Sequence, residues 1–452
     1  MTRLFFEQAL VDGDWASDVR IEVSPAGDIS SVTPRSSADD ADHYAKIGLP
    51  GLTNAHSHAF QRAMAGLAEV KGASDDSFWT WRKVMYGFVA RLTPDDLFAI
   101  AALAYGEMLE AGFTSVCEFQ YLHHDPTGAP YGDIAAMTLA IGEAARLTGI
   151  APTLLPVFYA NSQFGGAAPT DGQRRFVTSP DQFARLLERC QAIAGTLPGA
   201  SVGIAPHSLR AVTEDSLNQI LALHPAGPVH IHIAEQQKEV DDCLAWSGQR
   251  PVDWLADHAP VDARWCLVHA THMTASEGRR LTRSGAVAGL CPITEANLGD
   301  GIFAAVEHLE GGGRIAIGSD SNVLISAAEE LRLLEYGQRL RDQGRNRLAA
   351  PGRSTGHSLF AQAVSGGAQA SGRKAGRLAA GYRADILSLD GDHPALVAKH
   401  RDGWLDGWIF AATGSAIRDV WVGGDHVVVN GHHRRRSEIR KNFATTLKRL
   451  LA

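Results

Sequence analysis

Leu49-Pro50-Gly51-Leu52-Thr53-Asn54-Ala55-His56-Ser57-His58 is a short, mostly apolar run closed by two histidines with one residue between them. As a strand, it points His56 and His58 to the same face, because side chains alternate with a period of two. Two imidazoles on one face at a strand end can hold one metal ion. Taken alone, an H-x-H pair is more often two ordinary surface or core histidines. The meaning of this pair therefore depends on the rest of the chain.

Outward from this stretch, the chain alternates. Thr93-Pro94 opens a helix, with Thr93 as N-cap, Pro94 at the first helical position and Asp95 and Asp96 in the first turn. Gly112 closes it as a C′ glycine. Strands follow at Phe113–Tyr121, Pro152–Tyr159, Ser201–His207, Pro228–Glu235, Arg264–Ala270, Ala286–Cys291 and Arg314–Asp320, separated by helix-length segments such as Ser179–Ala194 and Thr213–Leu223. With the opening stretch they make eight strands alternating with helices, which predicts a (β/α)8 TIM barrel.

Residues 1 to about 48 read differently, as short strands and turns with too little apolar material to stand alone. Matching material returns at Gly381–Asp390 and Val420–Gly431, where Gly423-Gly424-Asp425 between two β-branched runs signals a hairpin. The two ends are therefore expected to pair in a small β-sandwich. This sets residues 1–48 as its N-terminal part, 49–370 as the barrel and 371–452 as its C-terminal part and tail.

The 452 residues suit one large barrel with a smaller unit, since such barrels typically take ~250 residues. A hydrophobic share of 45% and a charged share of 20% exclude a disordered chain. The net charge of -8 argues against nucleic acid as partner, and it requires a local Arg cluster for any anionic substrate. Five scattered cysteines without C-x-x-C read as reduced thiols, hence a cytoplasmic protein. No apolar run reaches the ~18 residues of a membrane span.

The ends of the strands carry the chemistry. The first stops at His56 and His58, the fifth at His230-Ile231-His232-Ile233-Ala234-Glu235, the sixth at His269 and the eighth at Gly318-Ser319-Asp320. In such barrels the C-terminal strand ends meet at one mouth. An apolar strand that halts at His or Asp must supply that polar group with a partner. The inferred ligand set is His56, His58, His232 and Asp320, with His230 two residues deeper in a structural or supporting role. Nitrogen and oxygen donors without thiolate suit Zn²⁺, with Fe²⁺, Mn²⁺ or Ni²⁺ as alternatives. Water on such an ion ionises near neutral pH and needs a base and an acid nearby. Glu235 can serve both needs, and His269 and Asp320 can orient the water and polarise the substrate.

Leu49-Pro50-Gly51 leading into His56-x-His58, His232-Ile-Ala-Glu235, His269 and Gly318-Ser319-Asp320 together resemble the amidohydrolase superfamily, over essentially the whole chain. The H-x-A-E signature implies the deaminase branch, in which that Glu shuttles a proton during hydrolytic release of ammonia. Ala205-Pro206-His207-Ser208 offers no lysine to bridge two metals, so one metal is expected.

Further segments are more specific: Ala59–Leu67, Ser77–Arg82, His207–Val212, His232–Val240 and Thr294–Gly301. They resemble the deiminase family that converts N-formimidoyl-L-glutamate and water to N-formyl-L-glutamate and ammonia in histidine degradation. The resemblance implies a small dianionic, amino-acid-derived substrate. It favours Arg82 and Arg210 as carboxylate clamps, since Arg binds carboxylate bidentately. Gln61 and Tyr121 can add hydrogen bonds, His207 can touch substrate or water, and Trp79 and Trp81 can form a lid. A homodimer is also expected. The rival readings are a nucleobase or guanidine-type deaminase, whose pocket would present Asn, Gln and aromatic groups, and a metal-bound scaffold without turnover.

Overall fold

The computed structural model describes residues 1–71, 78–414 and 416–452, apart from the side chains of residues 78–80, 83 and 84. The expected lid residue Trp79 therefore has a side chain outside the described residues. The alternation read from the sequence builds parallel strands joined by helices. In chain order these are β1 (Leu52–Ser57), β2 (Phe113–Gln120), β3 (Ala151–Phe158), a broken β4 (Ser201–Val202 and Ala205–Pro206), β5 (Val229–Ile233), β6 (Trp265–His269), β7 (Val287–Leu290) and β8 (Arg314–Ile317). β1 to β4 form one parallel sheet and β5 to β8 another. Parallel bridges Ser57–Asp320 at one seam, and Ile204–Val229 and Ser208–His232 at the other, join the two sheets. Nearly every residue of these strands is buried, as expected of strands covered on both faces.

The helices carry the signals that the sequence showed. The helix Pro94–Glu110 has Thr93 and Asp96 in a reciprocal capping box, which satisfies backbone donors that a helix start leaves open. The helices Pro180–Ala194 and Glu214–Leu223 start at Ser179 and Thr213 in the same way.

Two boundaries differ from the reading. The opening stretch is split between two sheets. His43–Pro50 pairs with Thr2–Val11 and Ile386–Leu389, and the change of sheet falls at Gly51. A Cβ at Gly51 would lie 2.3 Å from Thr114 Cγ2, so only glycine passes there. The fourth strand is interrupted at Gly203 and Ile204, where a Cβ at Gly203 would lie 2.5 Å from the Pro228 carbonyl oxygen.

The two chain ends share one eight-stranded sheet. Its order is His432–His433, Asp425–Val429, Ile417–Val422, Ile386–Leu389, His43–Pro50, Thr2–Val11, Asp14–Val23 and Ile29–Thr33. The predicted hairpin at Gly423-Gly424 joins two antiparallel strands. Leu4, Phe6, Ile21, Ile386 and Trp421 pack in a cluster separate from the main core. The buried ion pair of Arg373 and Asp385, 3.0 Å apart, ties the residues after the helix Thr355–Ser371 to the start of the Ile386–Leu389 strand. All five cysteines are buried free thiols. Among the described residues no helix is long and apolar enough to cross a membrane.

Candidate metal centre and active site

The strand ends leave regular geometry where the polar residues begin. Ala234, His269, Ala270, Asp320 and Asn322 all adopt positive φ, with His269 at 68° and Asp320 at 43°. Non-glycine residues in this region cost of order 1–3 kcal/mol each. Hydrogen bonds hold them there. His58 N donates to Asp320 O and Asp320 N to His56 O, each at 2.9 Å, while Asn322 Nδ2 donates to the carbonyls of His58 and Asp320 at 3.1 Å. A Cβ at Gly318 would lie 2.7 Å from the His56 backbone, so β1 and β8 can approach this closely only with glycine there.

His56, His58, His232 and Asp320 meet at one point, all buried. His56 Nε2 lies 3.2 Å from His58 Nε2, 3.0 Å from His232 Nε2 and 3.4 Å from Asp320 Oδ1. His58 Nε2 lies 3.3 Å from the same oxygen. His58 Nδ1 donates to Phe119 O at 2.9 Å and His232 Nδ1 to His207 O at 3.1 Å. Burial holds all three imidazoles below the usual histidine range, His56 at about 3, so Nε2 of His58 and of His232 is bare. Lone pairs of His58 and His232 thus converge on the same point as a carboxylate oxygen, an arrangement that a cation relieves. Ligands ~2.0–2.1 Å from Zn²⁺ in a tetrahedron stand roughly 3.3 Å from one another. The donor set fits a single divalent ion on both counts.

His230 points elsewhere, donating from Nε2 to Ala370 O at 2.8 Å, in keeping with its structural reading.

Asp320 faces two ways. Oδ1 meets the imidazoles, and Oδ2 lies 3.7 Å from His269 Nε2. Burial alone would raise this carboxyl, but the histidines around it hold it well below the usual carboxylate range. His269 Nε2 is also 3.8 Å from Glu235 Oε1, and its Nδ1 lies 3.2 Å from Glu295 Oε1. Burial would lower His269; Glu235, Glu295 and Asp320 outweigh it and raise the ring to about 10. Burial pushes Glu235 up to about 7, with His269 and Arg210 opposing and Asp320 adding. Asp300 is raised to about 9 by burial and by Glu235, which keeps it protonated at neutral pH.

A cavity opens above these groups. Every predicted site residue except His56 lines it: His58, Gln61, Arg82, Tyr121, His207, Arg210, His232, Glu235, His269 and Asp320. His56 sits beneath, fully buried. Trp81 is also at the wall. Gln61 Nε2 donates to Tyr121 Oη at 2.9 Å. Arg82 Nη2 donates to Tyr159 Oη at 3.2 Å, and its guanidinium lies 5.1 Å from the Tyr86 ring centroid, within cation–π range. Burial opposes the Arg210 charge, while Glu239 and Glu235 outweigh it and sustain it. Burial, then Arg210 and Arg82, drive His207 well below the usual range, so it is neutral.

Several contributors were absent from the sequence reading. Glu295 orients His269 and accepts from Cys291 N at 2.9 Å. Its segment resembled a family motif, but nothing in the spacing tied it to His269. Arg175 is buried and donates to the Leu92 carbonyl at 2.8 Å and to the Val89 carbonyl, at the end of helix α1 (Phe78–Val89). It thereby anchors the helix that carries Arg82. Tyr159 is also in this wall, with Gln173 donating to its hydroxyl from behind.

A model of the amidohydrolase family matches residues 47–427, and the chain belongs to that family. It is 51% identical to a formimidoylglutamate deiminase of Pseudomonas aeruginosa, over 100% of both chains. A crystal structure of an amidohydrolase from Brucella melitensis superposes with a TM-score of 0.96 at 51% identity, covering 100% of each chain. A zinc-bound adenosine deaminase from Xanthomonas campestris shares the fold, with a TM-score of 0.80 at 22% identity over 100% of this chain and 98% of that one.

Proposed function

We propose that this chain hydrolyses N-formimidoyl-L-glutamate to N-formyl-L-glutamate and ammonia. The observation that carries the reading is one cavity with a buried His3Asp cluster and Glu235–His269 on its floor, and Arg82 and Arg210 in its wall. The full-length likeness to a formimidoylglutamate deiminase supports it. A net acidic protein needs such guanidinium groups to hold a substrate with two carboxylates.

His56, His58, His232 and Asp320 would hold one divalent ion, Zn²⁺ first, with Fe²⁺, Mn²⁺ or Ni²⁺ as alternatives. Such an ion would supply an acidified water and a Lewis acid for the formimidoyl group. The side chains do the rest. Asp320 Oδ2 and His269 Nε2 orient the attacking oxygen toward the formimidoyl carbon, with Glu295 fixing the ring of His269. Glu235 accepts the proton that the water loses and delivers it to the nitrogen that leaves. Its raised pKa suits a group that must both take and give a proton near neutrality. A C–O bond forms as the C=N double bond opens to a C–N single bond. The proton left on the new hydroxyl then also passes through Glu235 to that nitrogen as the formyl C=O forms, the C–N bond breaks, and the nitrogen departs as ammonia. Arg82 and Arg210 clamp the carboxylates, with Gln61, Tyr121 and His207 adding contacts and Trp81 helping to cover the site.

We further propose that the two parallel sheets close into one (β/α)8 barrel across the bridges at Ser57–Asp320 and Ile204–Val229. The terminal sheet then curls over its own apolar cluster as a β-sandwich, built from the N-terminal segment through Pro50 and the segment 371–452, with the barrel between them. A cytoplasmic homodimer follows from the family resemblance and the reduced thiols, and sedimentation of purified protein tests the dimer. Ammonia release from N-formimidoyl-L-glutamate, against guanine and cytosine, tests the function. Release from the first alone supports it, and release from a nucleobase alone contradicts it.

A further inference from the structure

The geometry points to Tyr159 as a further substrate ligand, whose hydroxyl donates a hydrogen bond to the substrate carboxylate remote from the formimidoyl group. This rests on the deiminase reading of the same cavity. The argument begins at Thr170, whose backbone N–H can only donate. It donates to Gln173 Oε1 at 2.8 Å, joined by Thr170 Oγ1 at 3.1 Å. The Gln173 amide is thereby oriented, and its Nε2 donates to Tyr159 Oη at 2.7 Å. Arg82 Nη2, a donor in every state, also faces Tyr159 Oη at 3.2 Å.

A phenolic oxygen has two acceptor positions and one proton. Two obligate donors occupy both acceptor positions. The proton must then point away from Gln173 and Arg82, and no acceptor for it is found among the described residues. Tyr159 is buried and lines the cavity, so an acceptor there completes it. A buried hydroxyl left without an acceptor is costly, and a carboxylate gives the strongest available bond. Burial pushes Tyr159 up to about 12, which keeps the proton in place at physiological pH.

The position selects which carboxylate. The His207 ring lies 4.7 Å from Tyr159 and 4.9 Å from the ligand ring of His232, so it stands between Tyr159 and the floor cluster. Arg210 acts on the Tyr159 hydroxyl as Arg82 does. Tyr159, Arg82 and Arg210 thus face the far carboxylate together.

The test is Tyr159→Phe in the metal-loaded enzyme, which keeps the ring against Phe176 and His207. KM for N-formimidoyl-L-glutamate should rise about tenfold with kcat within about twofold, as expected for one lost hydrogen bond to a charged group. Selectivity over N-formimidoyl-L-glutamine, which lacks the far carboxylate, should fall by the same factor. Unchanged KM and selectivity would overturn the assignment. So would a Y159F crystal structure in which Arg82 leaves Tyr86, because Tyr159 would then act only by propping Arg82.

If Y159F fails to fold, Gln173→Glu reads the same claim. It puts an acceptor where an amide donates and draws the Tyr159 proton out of the cavity. KM and selectivity should shift as above, and no shift would overturn the proposal. If wild-type enzyme released no ammonia from either substrate, the deiminase reading would fail. Calorimetry with L-glutamate would then judge Tyr159 by itself: weaker binding to Y159F supports it, and equal binding overturns it.

Discussion

The floor and the wall of the cavity are built by different means. The floor comes from strand ends, where His56, His58, His232, His269 and Asp320 are fixed by backbone pairing across β1, β5, β6 and β8. The wall comes from loops and helix α1, where Arg82 and Gln173 donate to Tyr159 and Arg175 donates to the Leu92 carbonyl just past the helix. A strand end sets a ligand to within tenths of an ångström because many ladder bonds share the load. A loop residue depends on a few neighbours and can change without disturbing the metal site. One fold can therefore keep its chemistry and exchange its substrate.

If that contrast is right, damage to the floor should cost turnover and damage to the wall should cost binding. The largest effect is expected from Asp320→Ala. It removes a metal donor and a partner of His269 together, and activity should fall by on the order of 10⁴ or more, since catalytic metal and proton-transfer contributions are lost at once. Elemental analysis should show metal depleted. Next comes Glu235→Gln, expected to lower kcat by roughly 10²–10⁴ with metal still bound, the usual range for a lost acid–base group. Turnover near the wild-type rate would end the proton-shuttle role.

Arg82→Met and Arg210→Met should each raise KM by roughly 10- to 150-fold, the loss of about 1.5–3 kcal/mol for a hydrogen bond between charged groups. Loss of metal from either variant would blur the contrast. Glu295→Gln should lower kcat about tenfold by loosening His269, in the manner of residues that orient catalytic groups from behind. Its KM should stay near the wild-type value.

The smallest perturbation is pH. Glu235 must be ionised in the free enzyme to accept a proton. Burial raises it to about 7, so kcat/KM should be flat above that value and fall about tenfold per unit below it. A profile that instead rises toward acid pH would assign the limb to another group.

The same contrast explains what could be read from the sequence. Ligands at strand ends show as apolar runs that stop at His or Asp, because the period of two fixes their direction. Helix starts show equally well, as at Thr93, Ser179 and Thr213, since capping is local chemistry. Arg82 and Arg210, the proposed carboxylate clamps, came only through family resemblance. Tyr159 and Gln173 did not show, because Arg82 meets Tyr159 across 77 positions of chain and no local pattern encodes that contact. Glu295 was hidden for the same reason, 26 residues from the ring it orients. The break at Gly51 escaped because the backbone is extended and buried on both sides of it.

The most direct test of the division between floor and wall is steady-state ammonia release by E235Q and R82M, each loaded with one equivalent of metal and compared with wild type. The account predicts that E235Q loses kcat at nearly constant KM, while R82M gains KM with kcat largely kept. Equal losses of kcat in both variants would contradict it.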